Sequence, residues 1–232
     1  MTNPPRPANK ILGELPHEEF ERLRPKLRDV SYNVGKILYQ AEEPIESVYF
    51  VNQGIVSWLA TLEDGNTVEA GVIGNEGLAG MAVLLGATST PNQALCQADV
   101  QASRIARADI VSEFRTNGRL NALILRFVQS MFTQVAQTAA CNRLHTLDQR
   151  LARWLLMTHD RTDGDRLPLT QDFLSRMLGV RRAGVSVAAN SLKQAGLIDY
   201  HRGNIRIVNR EGIERLSCEC YEIVKQEYED QS

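Results

Sequence analysis

Thr170-Gln-Asp-Phe-Leu-Ser-Arg-Met-Leu-Gly-Val-Arg-Arg-Ala-Gly-Val-Ser-Val-Ala-Ala-Asn-Ser-Leu192 decides how this chain is read. A helix-turn-helix needs a small residue where its helices cross, a glycine where the chain turns with positive φ, and apolar residues that lock the second helix onto the first. Ser175 supplies the crossing and Gly179 the turn, while Leu174, Leu178, Val180, Val185 and Ala188 are spaced to share a core. Thr170 is placed to open the first helix, and the second is predicted over about Arg181 to Gln194. Candidate DNA contacts are therefore Thr170 and Gln171 at the first helix start, and Arg181, Arg182, Ser186, Asn190 and Lys193 along the outer side of the second. Arginine at the N-terminal end of such a helix can fork onto guanine in the major groove or grip phosphate. Leu197 to Val208 alternates around Gly203-Asn204 and predicts a hairpin wing carrying His201, Arg202 and Arg206, with Arg202 a further candidate DNA contact.

The competing reading is an ordinary helical hairpin with arginines on a solvated face, and charge distribution separates the two. The whole chain has net charge −2 and a pI near 6.1. Residues 1–140 carry 12 Lys/Arg against 15 Asp/Glu, residues 141–210 carry 12 against 6, and residues 211–232 carry 2 against 7. The predicted DNA-binding block is thus +6 within a chain whose remainder is −8, the local positive charge that phosphate neutralisation requires.

Upstream the period of the pattern differs. Leu12, Leu15, Phe20, Leu23 and Leu27 suit one or two short amphipathic helices. Val30 to Arg107 is rich in Val, Ile, Thr and Tyr, in short runs at Lys36–Tyr39, Ser47–Val51, Gly54–Leu62, Thr67–Ile73 and Val100–Ala106. Asp64-Gly65 marks a hairpin between two of them. Regularly spaced short strands predict a jelly-roll barrel or small sandwich. Asp109 reads as a helix cap, and after Asn117-Gly118 a helical pattern free of Gly and Pro runs from about Arg119 to Asn142. Ile124, Val128, Met131, Val135 and Thr138 recur along it at 4-3-4-3 spacing, the seam of a two-stranded coiled coil. Packing of that stripe on the chain's own barrel is the alternative. Arg210 to Asp230 reads as a final acidic helix.

A chain of 232 residues favours two domains. The expected fold is α+β, divided into a disordered tail (1–10), an effector-sensing barrel (11–108), a dimerisation helix region (109–142) and a winged helix-turn-helix domain (143–232). Hydrophobic residues at 43% and charged residues at 23% fit a folded water-soluble chain. With no apolar run long enough to span a bilayer and no secretory signal pattern at the N-terminus, a cytoplasmic protein is expected. Cys96, Cys141, Cys218 and Cys220 are too few and too irregular for a disulfide framework, so free thiols are expected. Cys218-Glu-Cys220 offers two thiols without a paired histidine close in sequence, so neither a metal site nor a cofactor is expected.

Barrel, long helix and winged helix-turn-helix in this order resemble the Crp/Fnr family of bacterial transcription regulators. In the barrel the resemblance rests on Gly35 with Leu38-Tyr39, on Tyr49-Phe-Val-Asn-Gln-Gly54-Ile-Val and on Asp64-Gly65; in the second domain it rests on Leu178-Gly-Val-Arg-Arg182 and Ala195-Gly-Leu-Ile198. It implies a homodimer joined through the long helix and bound to a two-fold symmetric operator on double-stranded DNA, with an effector in the barrel and RNA polymerase as a further partner. Cyclic-nucleotide members clamp the cyclic phosphate with an Arg-Ser/Thr-Ala triplet. Here that arginine position holds Asn92 or a neighbour, and no Lys or Arg lies between Lys36 and Arg104. Cyclic AMP is therefore not the expected effector, and Gly80, Met81, Asn92 and Gln93 are the candidate contacts for another. The family's iron–sulfur branch needs cysteines mostly near the N-terminus, whereas the first here is Cys96. Catalytic residues are not identified, since His17, His145, His159 and His201 all lie outside the strand-rich segment that a metal-dependent barrel enzyme would use. A binding barrel that has lost DNA recognition stays open at this stage, because Ala183 and Val187 stand where many relatives carry polar contacts.

Overall fold

The computed structural model describes residues 6–230. Helices α1 (Lys10–Gly13) and α2 (His17–Leu23) precede eight strands: β1 (Arg28–Tyr32), β2 (Ile37–Tyr39), β3 (Ser47–Gln53), β4 (Val56–Thr61), β5 (Thr67–Ile73), β6 (Leu78–Ala79), β7 (Asn92–Cys96) and β8 (Val100–Ala106). They form two antiparallel four-stranded sheets in the orders β1-β8-β3-β6 and β2-β7-β4-β5. Val48, Phe50 and Val51 of β3 and Ile73 of β5 are buried in one core with Leu12, Leu23 and Ile124, so the N-terminal helices close the barrel on themselves.

The expected tail is corrected at its inner half; Met1–Pro5 lie outside the described residues. Asn9 is fully buried, and its Nδ2 donates to the Val51 and Gly77 carbonyls at 2.8 Å each. Its Oδ1 accepts from Leu12 N and caps α1. Barrel carbonyls that need a donor hold this segment in place, a tertiary demand that a proline-rich composition does not reveal.

Helix α3 (Arg107–Phe114) starts two residues before the expected cap at Asp109, which sits in its first turn. Helix α4 (Arg119–Leu144) has 26 residues, about 39 Å at 1.5 Å per residue. It lies along the barrel because Gly77 has no side chain, and a Cβ there would meet Phe127 Cε2 at 2.1 Å. Gln134 then acts as an extra strand residue: its Oε1 accepts from Val72 N at 2.6 Å and its Nε2 donates to Val72 O at 3.2 Å, satisfying the open edge of β5.

The remainder comprises α5 (Leu147–His159), β9 (Arg166–Leu167), α6 (Gln171–Leu178), α7 (Arg182–Gln194), β10 (Ile198–His201), β11 (Asn204–Ile207), α8 (Arg210–Leu216) and α9 (Cys220–Glu229). The three strands form a sheet in the order β10-β11-β9 beside α6 and α7. The single acidic helix expected over Arg210 to Asp230 is two helices. Ser217 is extended at φ −61° and ψ 160°, and the break turns Cys218 and Cys220 inward, where both are buried. Ile55, Leu59 and Val72 of the barrel share a core with Leu155, Leu174 and Val185, so the two parts pack directly.

Candidate nucleic-acid interface

Thr170 caps α6, its hydroxyl accepting from Phe173 N at 3.1 Å, and Gly179 ends the helix at φ 62°. Leu174, Leu178, Val185 and Ala188 are buried between the helices. Val180 is partly buried against the same cluster. This packing leaves Arg181, Arg182, Ala183, Val187 and Asn190 exposed along α7. Arg181 is the N-cap position and Arg182 the first helical residue, so both guanidinium groups sit at the helix start.

Two expected contacts serve the scaffold as well. Ser186 is half-buried and donates to Gln171 Oε1 at 2.7 Å, tying α7 to α6. Lys193 Nζ donates to Tyr200 O at 3.2 Å and lies 3.2 Å from Asp199 Oδ1, holding that carboxyl below its ordinary range. Lys193 therefore braces the wing and remains half-exposed. Val187, whose apolar character weighs against DNA recognition in the sequence, is 70% exposed in the middle of the outer face. An exposed apolar side chain there matches the methyl group of thymine, which is also read by contact.

The wing turns at Arg202 and Gly203, between the paired residues His201 and Asn204. Both have positive φ, 45° and 80°, the geometry of a two-residue type I′ turn. Asparagine suits the first position better; arginine there costs about 1 kcal/mol and holds a cation at the wing tip.

A cavity of about 260 Å³ lies between barrel and α4, lined by Trp58, Met81, Ala82, Leu85, Thr90, Asn92, Val128, Met131, Phe132 and Val135. Met81 and Asn92 of the expected effector residues reach it. Gly80 and Gln93 do not: Gly80 is packed under the Ser47 carbonyl, and Gln93 pairs with Leu59 within the sheet. The lining carries no charged side chain.

The expected dimer seam is corrected too. Ile124, Val128 and Met131 are buried in the chain's own barrel core, at 0%, 7% and 2% exposure. Val135 is half-buried at the cavity, and Thr138 Oγ1 accepts from Arg153 Nη2 at 3.1 Å. The large apolar side chains left outward on α4 are Leu125, Phe132 and, at its last residue, Leu144, at 47%, 67% and 76% exposure, with Ala136 and Ala139 also exposed.

Where the two parts meet, Glu69 of β5 is buried. Its Oε1 accepts from Trp154 Nε1 of α5 at 2.7 Å. Ser57 Oγ lies 2.6 Å from Glu69 Oε2 and 2.9 Å from Gln97 Oε1. One hydroxyl proton cannot serve two acceptors, whereas a protonated Glu69 donating to Ser57 satisfies all three groups. Burial pushes the Glu69 carboxyl up to about 7, against the hydrogen bonds that favour its ionised form.

A family model described as the Crp-like helix-turn-helix domain matches residues 149–216, and one described as the cyclic nucleotide-binding domain matches residues 29–117. The chain belongs to the Crp/Fnr family. It is a DNA-binding transcription regulator with a cyclic-nucleotide-binding-like barrel. Solved structures agree on the fold. FixK2 from Bradyrhizobium japonicum is 19% identical, with a TM-score of 0.70 over 83% of this chain and 98% of that one. CLP from Xanthomonas campestris, a c-di-GMP responsive regulator, is 17% identical with a TM-score of 0.67 over 83% and 99%. A Crp/Fnr-family regulator from Thermus thermophilus is 20% identical, with a TM-score of 0.66 over 82% and 98%. No curated protein matches the sequence. In this Crp/Fnr-family chain no described helix is long and apolar enough to cross a membrane.

Proposed function

We propose that this regulator acts as a homodimer on an inverted-repeat operator, each α7 entering a major groove and Arg202 gripping flanking phosphate. The observation that carries the reading is the pairing of Arg181 and Arg182 at the exposed start of α7. Arg182 reads a base edge, and Arg181 binds phosphate or a second base. The dimer contact is the outward face of α4 at Leu125, Phe132, Ala136 and Ala139, supported by the seven-residue step between Leu125 and Phe132. RNA polymerase is the partner implied by transcription control, and work on genomic DNA implies a cytoplasmic location. The effector is a small, largely apolar molecule in the cavity beneath α4, oriented by Asn92 and Thr90; this is supported by the uncharged lining. A cyclic phosphate would be buried there without a cation, the weaker design.

The test is fluorescence anisotropy on DNA selected by the wild-type protein. Arg182→Ala should cost about 1–3 kcal/mol per half-site and relax preference at one base pair in each half. Unchanged affinity and preference would remove Arg182 from base reading.

A further inference from the structure

The described residues converge on one group of metal-ligating side chains that DNA recognition does not use. Cys141 and His145 stand one turn apart at the end of α4, and His145 is the residue that ends the helix. Cys218 lies in the break between α8 and α9, and Cys220 is the first residue of α9. Separated by 77 residues in sequence, Cys141 Sγ and Cys218 Sγ lie 3.5 Å apart. Cys220 Sγ lies 3.7 Å from His145 Nδ1. One ligand atom from each of the four residues falls within 4.8 Å of all the others.

Those separations suit a single ion. A tetrahedron with bonds of about 2.3 Å to sulfur and 2.0–2.1 Å to nitrogen has edges of roughly 3.8 Å between sulfurs and 3.6 Å from sulfur to nitrogen. An iron–sulfur cluster spreads its thiolates over more than one iron around inorganic sulfide and holds those on different irons further apart. Buried cysteines alone are commonly inert packing residues, but two further features point to a ligand. The far nitrogen of the imidazole, Nε2, lies 3.3 Å from Glu219 Oε2. Donating its proton there leaves the Nδ1 lone pair aimed at the thiols, the tautomer and carboxylate support that metal-bound histidines use. Arg150 and Arg153 share a small cavity wall with Cys141, and their Nε atoms are buried without a hydrogen-bond partner. Three thiolates around a divalent ion carry one net negative charge, which these cations offset. A Cys141–Cys218 disulfide would use only two of the four groups and leave Cys220 and His145 without a role.

We propose that Cys141, His145, Cys218 and Cys220 form a closed, mononuclear tetrahedral site for a divalent metal of the zinc class. With four protein ligands it has no open position, so its role is structural. It ties the end of α4 to the α8–α9 break across Leu144–Leu147, where the chain passes into the DNA-binding domain. Glu219 is a positioning residue.

The experiment uses the full chain purified without chelator. Elemental analysis should find one zinc per chain, and cobalt exchanged into the site should show the intense visible absorption of tetrahedral thiolate coordination. Cys220→Ala and His145→Ala should lose the ion and the cobalt spectrum while circular dichroism stays native. Glu219→Ala should keep the spectrum but lower zinc affinity about 10–100-fold against a competing chelator. Because binding to the folded state stabilises it, chelator should lower the melting temperature of the wild type and not of Cys220→Ala. A folded wild-type protein that holds no metal and takes up neither zinc nor cobalt overturns the proposal. So does inorganic sulfide with iron in the site, or a Cys141–Cys218 disulfide in protein handled without oxygen.

Discussion

Glu69 and Arg202 show how single residues carry cost for a purpose. The Glu69 carboxyl titrates near 7 in the folded chain against an ordinary 4.5, so the folded state holds its proton more tightly. Its contribution to stability is fully present below about pH 4.5 and is lost as pH rises through about 7, a change of about 3 kcal/mol at most. The melting temperature should fall between pH 5 and 8, and Glu69→Gln, which keeps the shape without the charge, should flatten that fall; an equal slope in both proteins would refute the assignment. Arg202 occupies a positive-φ position that asparagine tolerates better. Arg202→Asn should therefore leave stability unchanged or raise it by about 1 kcal/mol, while weakening binding to all DNA sequences alike and lowering the salt slope by about one. Thermal melts and anisotropy at several salt concentrations check both halves.

Helix α4 has two apolar faces, and periodicity alone could not separate them. The 4-3-4-3 stripe at Ile124, Val128 and Met131 is real, yet it serves the barrel core, and the outward face is displaced by one residue to Leu125 and Phe132. A helix with apolar side chains on both its barrel side and its outward side is apolar around much of its girth, so a heptad count has more than one solution. Phe132→Asp with Leu125→Asp should convert a dimer of about twice 25.9 kDa into a folded monomer in sedimentation, whereas Ile124→Asp should unfold the barrel. The helix-turn-helix was legible in the sequence because capping at Thr170, positive φ at Gly179 and the Leu174–Val185 core are local requirements. The strand runs at Ser47 and Thr67 were legible for the same reason. Burial of Asn9 and the meeting of Cys141 with Cys218 were not, since each depends on contacts between distant segments.

Across the whole molecule, α4 and α5 join sensor and reader. Gln134 binds both the barrel edge and Tyr228 Oη of α9 at 2.7 Å, while Arg161 pairs with Glu76 across the same boundary at 2.8 Å. In the proposed dimer, a ligand beneath α4 at Val128 and Phe132 would touch the helix that pairs the chains. Cyclic AMP at millimolar concentration should leave the melting temperature and DNA affinity unchanged, because a ligand stabilises only the state it binds; calorimetric binding in the low micromolar range would contradict the uncharged cavity. The central claim, a two-fold regulator reading DNA with paired α7 helices, is tested most directly by footprinting the wild-type protein on genomic fragments it selects. The account predicts two protected half-sites related as an inverted repeat, centred about one helical turn, roughly 34 Å, apart. Protection of a single site, or binding with no sequence preference, would contradict it.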